Sequence, residues 1–423
     1  MQVRPNVDLF RGISITERNY VWERSRLEWR VGEPGDPADL AAAFLHGFGL
    51  GLLSDSDRSD GLVRPLAHGT AGRARADGIL GASLFVSAAA GAVMAGGDPG
   101  RPSPCPAVPD LVVALYTAAP EPAQPQAEPA TLLPDAAPES PPQPASDRRD
   151  GEADEWWLGE WQPSWTPAEH AKAVGQVREA IARGDVYQVN VVGHAAAPYR
   201  GDPLPALRRI ATLPGAAYGG ILTGSGWAIA SASPELLVRV AGGVVQTRPI
   251  KGTRPATEAG RQELLTSAKE RAEHIMIVDL ERNDLGRIAR TGTVAVPELY
   301  AVRRWCDLWQ AESLVSARLA EGTGLADLLR ALCPGGSVTG APKGAALAEI
   351  ARLEPVGRGP SMGAFGWVDA HGLELGLTIR TVAVDDERVH VWAGGGITWE
   401  SEPAAEVAEA HAKAAPIKRV LTG

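Results

Sequence analysis

Residues 155–423 predict a mixed fold of helices and strands, on three observations: a strongly signalled helix, valine-rich runs broken by glycine, and dense alternation without internal repeat. The helix opens at Ser164-Trp165-Thr166-Pro167-Ala168-Glu169, with a hydroxyl cap, a proline in the first turn and an acid nearby, and Gly184 ends it. A strand over 185–191 follows, in which Gln188 and Asn190 share a face. A second, over 227–231, leads into Ser233-Pro234-Glu235, where the carboxylate is either a helix-start residue or a placed proton donor. Residues 238–247 read as a strand with a glycine break.

The chain ahead of this region is less regular. Residues 1–115 carry a helix signal over 39–48 and strand-like runs at 83–87 and 111–115. From 116 to 150 a Pro/Ala/Glu/Gln tract has almost no large apolar residues, so too little surface is buried to offset ordering, and a flexible linker is expected.

Composition narrows the function. A chain of 423 residues with 44% hydrophobic and 22% charged residues is globular, long enough for two or three structural units. A formal net charge of -10 argues against nucleic-acid binding. Cys105, Cys306 and Cys333 have no disulfide or metal spacing, the N-terminus lacks a signal-peptide core and no apolar run reaches membrane-span length; a cytoplasmic protein is expected, with no membrane association.

Chemistry concentrates at a few positions. In Pro249-Ile250-Lys251-Gly252-Thr253-Arg254-Pro255, the proline and glycine end the preceding strand and leave Lys251 and Thr253 on a tight turn. Lys251 is either a surface lysine on a turn or, if desolvated by Ile250 and the prolines, an amine of lowered pKa usable as a nucleophile. Glu270 and Glu273 lie three apart on one expected helix, Glu406 and Glu409 on another. Acidic pairs are usually solvated, but two on separate helices can clamp one hard divalent cation, and all-oxygen ligation suits Mg²⁺.

Two glycine-rich loops complete the set. That at 334–343 precedes a helix over 341–353; Ala341-Pro342 separates Gly340 from Lys343 and no Ser/Thr follows the lysine, so it is not a nucleotide-binding loop. The other, Gly394-Gly395-Gly396, follows a strand over 389–392 and is either a tight turn or a set of backbone amides offered to a carboxylate. Arg380, in an apolar strand, needs an anionic partner.

Together, GDVYQVN at 184–190, SPELL at 233–237, PIKGTRP at 249–255, SAKERAEHIMIVDLERNDLGR at 267–287, PGGSVTGAPK at 334–343, IRT at 379–381 and AGGGI at 393–397 resemble the chorismate-utilising enzymes. That family includes anthranilate, aminodeoxychorismate, isochorismate and salicylate synthases. The resemblance covers 155–423, and extends only weakly to the N-terminal region, around Leu52-Leu53-Ser54-Asp55-Ser56. It implies an α+β fold of two facing antiparallel sheets with outer helices, 151–423 being the catalytic domain and 1–115 contributing strands.

By the same resemblance, Glu273 and Glu409 match the Mg²⁺ ligands, and Glu270 and Glu406 the supporting acids. Arg380 and Gly394 to Gly396 would hold the chorismate carboxylates with Thr253 nearby, and Glu235 matches the acid that protonates the departing C4 hydroxyl. Gln188 stands where members that add water carry a base lysine, and Lys251 where anthranilate synthases usually have alanine. These positions favour the aminodeoxychorismate synthase branch, serving 4-aminobenzoate and folate synthesis, with anthranilate synthase component I or a catalytically silent chorismate-binding subunit as alternatives. No cysteine lies in a glutaminase-like turn, so ammonia is expected from a separate glutamine amidotransferase subunit. Gln310 and Ser361 depart from the family's usual histidine and tyrosine.

Overall fold

The computed structural model describes residues 21–50, 78–118 and 156–423. The strands form two antiparallel sheets. The ten-stranded sheet runs β1 (Val21–Trp29), β3 (Leu111–Ala118), β2 (Ile79–Val86), β15 (Ala364–Asp369), β16 (Gly372–Leu377), β9 (Leu236–Ala241), β10 (Val244–Arg248), β13 (Leu308–Arg318), β11 (Ile250–Pro255), with β12 (Ala295–Trp305) also on β13. The eight-stranded sheet runs β14 (Gly340–Ala341), β6 (Gln188–Arg200), β18 (Arg388–Ile397), β17 (Thr381–Val384), β8 (Trp227–Ser233), β7 (Tyr218–Gly224), with β4 (Trp157–Leu158) and β5 (Gln162–Pro163) on β6.

The two sheets share a core. Leu84, Phe85, Val113, Leu237 and Leu375 of the larger sheet pack in one cluster with Val192, Ile229 and Trp392 of the smaller. Burial of such side chains, about 1.5–3 kcal/mol each, holds the layers face to face. Helices cover the flanks: α1 (Pro37–Gly47), α2 (Ala88–Met94) and α7 (Leu325–Leu332) join the shared core, while α3 (Pro167–Arg183), α4 (Leu204–Ala211), α8 (Lys343–Leu353) and α9 (Pro403–Thr422) pack around the smaller sheet. α5 (Glu258–Thr266) and α6 (Ala268–Gly286) lie against β11 and β13. The α+β architecture implied by the resemblance is therefore present. Among the described residues, no helix is long and apolar enough to cross a membrane.

Local chemistry explains several boundaries. Thr166 caps α3: its hydroxyl accepts from the Glu169 amide and its own amide donates 2.7 Å to the Glu169 carboxylate, while Gly184 closes the helix with φ 82°. The run at 238–247 is a hairpin, β9 and β10, turning at Gly242 and Gly243.

Four expectations need correction. Lys251 lies on no turn: β11 continues the sheet, pairing Lys251 with Ala311 and Thr253 with Gln310 across an irregularity at Gly252. Gly252 supplies the positive φ of 78° that this bulge needs, a task proline and glycine signals in sequence do not distinguish from a turn. The glycines at 394–396 form no loop, because they pair with Val192, Val191 and Asn190 as the end of β18. Arg380 sits not within a strand but at the break between β16 and β17, with φ 55°. The helix expected from 341 starts at Lys343, since Ala341 pairs with Gln188 in β14.

The tract expected over 116–150 overlaps the end of β3 at 116–118, and its remainder lies outside the described residues, as does the motif at 52–56.

Candidate active site

One cleft gathers nearly every singled-out residue. Its walls are Glu235, Lys251, Thr253, Glu270, Glu273, Arg380, Gly394, Gly395, Gly396, Glu406 and Glu409, drawn from both sheets, α6 and α9. Gln188 is fully buried behind Gly396, where a β-carbon would run into both its amide and the Lys251 amine. A bare backbone at Gly396 is therefore what leaves room for the lysine.

Lys251 and Glu235 are linked through Ser337. The Lys251 ammonium donates 3.5 Å to the Ser337 carbonyl, and the Ser337 hydroxyl donates to the Glu235 carboxyl. Burial lowers the Lys251 pKa, and Lys413 lowers it further against the pull of Glu235, Glu273 and Glu409. Burial pushes Glu235 up to about 7, although the Ser337 hydroxyl, the Ile250 amide and Lys251 oppose it. Its backbone is an extended link between β8 and β9, which removes the helix-start reading. An amine with weakened proton affinity thus stands beside a carboxyl that keeps its proton near neutrality.

Arg380 is 5% exposed, stacked 4.2 Å over Trp305, and one guanidinium nitrogen has no partner. Burial lowers its pKa to about 10. A buried, incompletely bonded guanidinium facing a cleft is completed by an anion such as a carboxylate.

The four glutamates enter from two helices. Glu270 is paired with Arg254 at 2.8 Å, Glu273 accepts 2.8 Å from the Thr398 hydroxyl, and Glu409 is paired with Lys413 at 2.6 Å. Burial raises the pKa of Glu270 and Glu406, with neighbouring carboxylates adding to it, whereas Lys413 overrides burial and holds Glu409 below the ordinary range. This oxygen-only donor set, gathered on two facing helices, fits a hard divalent cation completed by water and substrate oxygens.

Sequence reasoning missed Lys413, although it lies four residues beyond Glu409 on the same helix and also donates 3.0 Å to the Gly394 carbonyl. It also missed Ser337, inside the loop singled out for its glycines; no spacing rule joins its hydroxyl to Glu235. Of the two departures, Gln310 lines the cleft, while Ser361 is fully buried with its hydroxyl donating 3.3 Å to the Thr378 carbonyl.

The chain is similar to several known proteins. Anthranilate synthase component 1 of Streptomyces coelicolor is 42% identical over 257 residues, 59% of this chain and 50% of that protein. Aminodeoxychorismate synthase component 1 of Salmonella typhimurium is 40% identical over 268 residues, 62% of this chain and 58% of that protein. The matches thus span little more than half of these relatives. The crystal structure of anthranilate synthase component I from Streptococcus pneumoniae superposes with a TM-score of 0.70 at 25% identity, covering 99% of this chain and 95% of that one. A putative 2,3-dihydroxybenzoate-specific isochorismate synthase from Bacillus anthracis shares the fold, with a TM-score of 0.64 at 21% identity over 96% of this chain and 94% of that one. Residues 109–419 match the family described as chorismate binding enzyme, and with that match over most of its length the chain belongs to this family.

Proposed function

We propose that the chain is component I of an aminodeoxychorismate synthase, converting chorismate and ammonia to 4-amino-4-deoxychorismate for 4-aminobenzoate and folate synthesis. The observation that carries the reading is the Lys251 amine held against one end of Ser337 while Glu235 is held by the other. A nucleophile and a proton donor stand together as a two-step substitution requires.

In this reading the neutral Lys251 amine bonds to C2 of chorismate as both ring double bonds shift, C1=C2 to C1=C6 and C5=C6 to C4=C5, and the C4–O bond breaks. Glu235 gives its proton, so the hydroxyl departs as water. Ammonia then attacks C4, both double bonds shift back, and Lys251 leaves as the amine. Arg380 and the amides of Gly394 to Gly396 hold the carboxylates, with Thr253 and Gln188 at the margin. Glu273 and Glu409 would hold Mg²⁺, supported by Glu270 and Glu406; bound there, the ion would neutralise substrate carboxylate charge. Ammonia would come from a glutamine amidotransferase partner, a reading supported by the component 1 names of relatives.

A second reading, anthranilate synthase component I, is favoured by the 42% identity to the Streptomyces protein. Intact-mass and product analysis with chorismate, Mg²⁺ and ammonium separates the two. The expected result is a chorismate-derived adduct on Lys251 with aminodeoxychorismate as product, both lost in Lys251→Ala. Anthranilate and pyruvate, formed equally by the variant, would assign the chain to the second reading.

A further inference from the structure

Away from the cleft, three residues of different chemistry meet. Cys105, from the loop between α2 and β3, faces Asp385, in the turn between β17 and β18, and His390 on β18; one ligand atom from each lies within 4.8 Å of the others. None of the three lines the cleft. Cys105 is fully buried and His390 is 2% exposed, whereas Asp385 keeps a side-chain exposure of 20%, leaving one approach from solvent.

The surroundings orient these groups. His390 Nε2 is 3.1 Å from the Asp385 carboxylate, and its Nδ1 is 3.1 Å from His194 Nε2. His194 Nδ1 in turn is 2.6 Å from the Ser164 hydroxyl. The other Asp385 oxygen accepts from the Glu387 and Arg388 amides at 2.9 and 2.8 Å, and its carbonyl accepts 2.6 Å from the Tyr199 hydroxyl. Metal-ligating histidines donate their other ring N–H to an outer acceptor that sets tautomer and ring orientation; here the acceptor is a second imidazole, itself fixed by a hydroxyl.

We propose that Cys105, Asp385 and His390 form a binding site for a zinc-class divalent cation, separate from the carboxylate cleft. Thiolate, imidazole and carboxylate together select zinc-like ions over magnesium, and three protein ligands leave one position for water on the Asp385 side. Ligand atoms on one tetrahedral zinc stand roughly 3.5 Å apart, so the His390–Asp385 pair at 3.1 Å opens slightly on binding while the wider separations close. Binding forms the metal–sulfur bond and releases the thiol proton. His390 Nε2 then faces the metal, and its Nδ1–H donates to His194, whose own Nδ1–H donates to Ser164. The ion joins the loop preceding β3 of the larger sheet to a hairpin of the smaller, fastening the two layers.

The test uses the full chain, freed of metal by chelation and held in excess Mg²⁺ so that hard-oxygen sites are filled. Titration with Co²⁺ is followed by absorbance and by melting temperature. The expected result is one equivalent bound with a thiolate-to-cobalt charge-transfer band and a raised melting temperature. The band should be lost in Cys105→Ser and kept in Cys306→Ser and Glu409→Gln. Removing the outer support in His194→Ala should weaken cobalt binding roughly 10- to 100-fold. Absence of the band in the unmodified chain overturns the proposal, as does a band that depends on Cys306. Should Cys105→Ser not fold, Asp385→Asn at the more exposed ligand decides: unchanged cobalt affinity would reject the site.

Discussion

Glu235 makes the most direct prediction at the scale of one residue. Its proton is held to about pH 7 in the fold against an ordinary value of 4.5, so the folded state binds more proton than the unfolded one between those limits. Stability contributed by this position therefore falls as pH rises through that window, by at most about 3 kcal/mol. Glu235→Gln should be more stable than the native chain above pH 7, with the advantage vanishing below 4.5, as read by urea unfolding at several pH values. The same proton should govern rate: kcat/KM declines as pH rises past about 7, and Glu235→Gln lowers kcat roughly 10²- to 10⁴-fold without that declining limb. A flat profile in the native enzyme would remove Glu235 from the acid role. The glutamates of the cleft, Lys251 and Arg380 were legible in sequence because their chemistry is written in residue type, whereas Lys413 was not. What sequence could not supply was the Ser337 bridge between Lys251 and Glu235, since its two contacts span 86 and 102 residues of chain.

At the scale of elements, the end of β18 is tightly constrained. A methyl group at Gly396 meets the Lys251 amine and the Gln188 amide, flexible ends that yield by displacing the lysine. Gly396→Ala should lower kcat by up to about 100-fold through misplacement of the lysine, with only a small change in melting temperature. Equal losses of activity and stability would mean that the strand itself, not the amine, had moved. Helices were the more legible elements: α3 carries its cap, proline and terminal glycine in consecutive sequence. Strands were harder. Glycine reads as a break, yet at 252 it makes a bulge and at 394–396 it extends a strand beside a cleft, because only pairing with distant β13 and β6 decides the outcome.

At the scale of the molecule, the N-terminal strands are part of the larger sheet and not an appendage to it. β2 lies between β3 and β15, pairing Phe85 with Phe365 and Val86 with Ala364. A chain lacking residues 1–118 should bare the β15 edge and self-associate, seen as large species in size-exclusion chromatography; a soluble, active monomer would show that 151–423 folds by itself. The pairing also sets an order of events during synthesis. β2 and its first partner β3 are made within a few tens of residues of each other, but its other partner is not made until residues 364–369. At about 5–20 residues per second that interval is roughly 15–60 s, through which one edge of an apolar strand, buried along nearly its whole length in the finished fold, waits uncovered. The growing chain thus depends on that edge being shielded over the interval, and its yield should respond to the supply of holding chaperones more than to the stability of the completed protein.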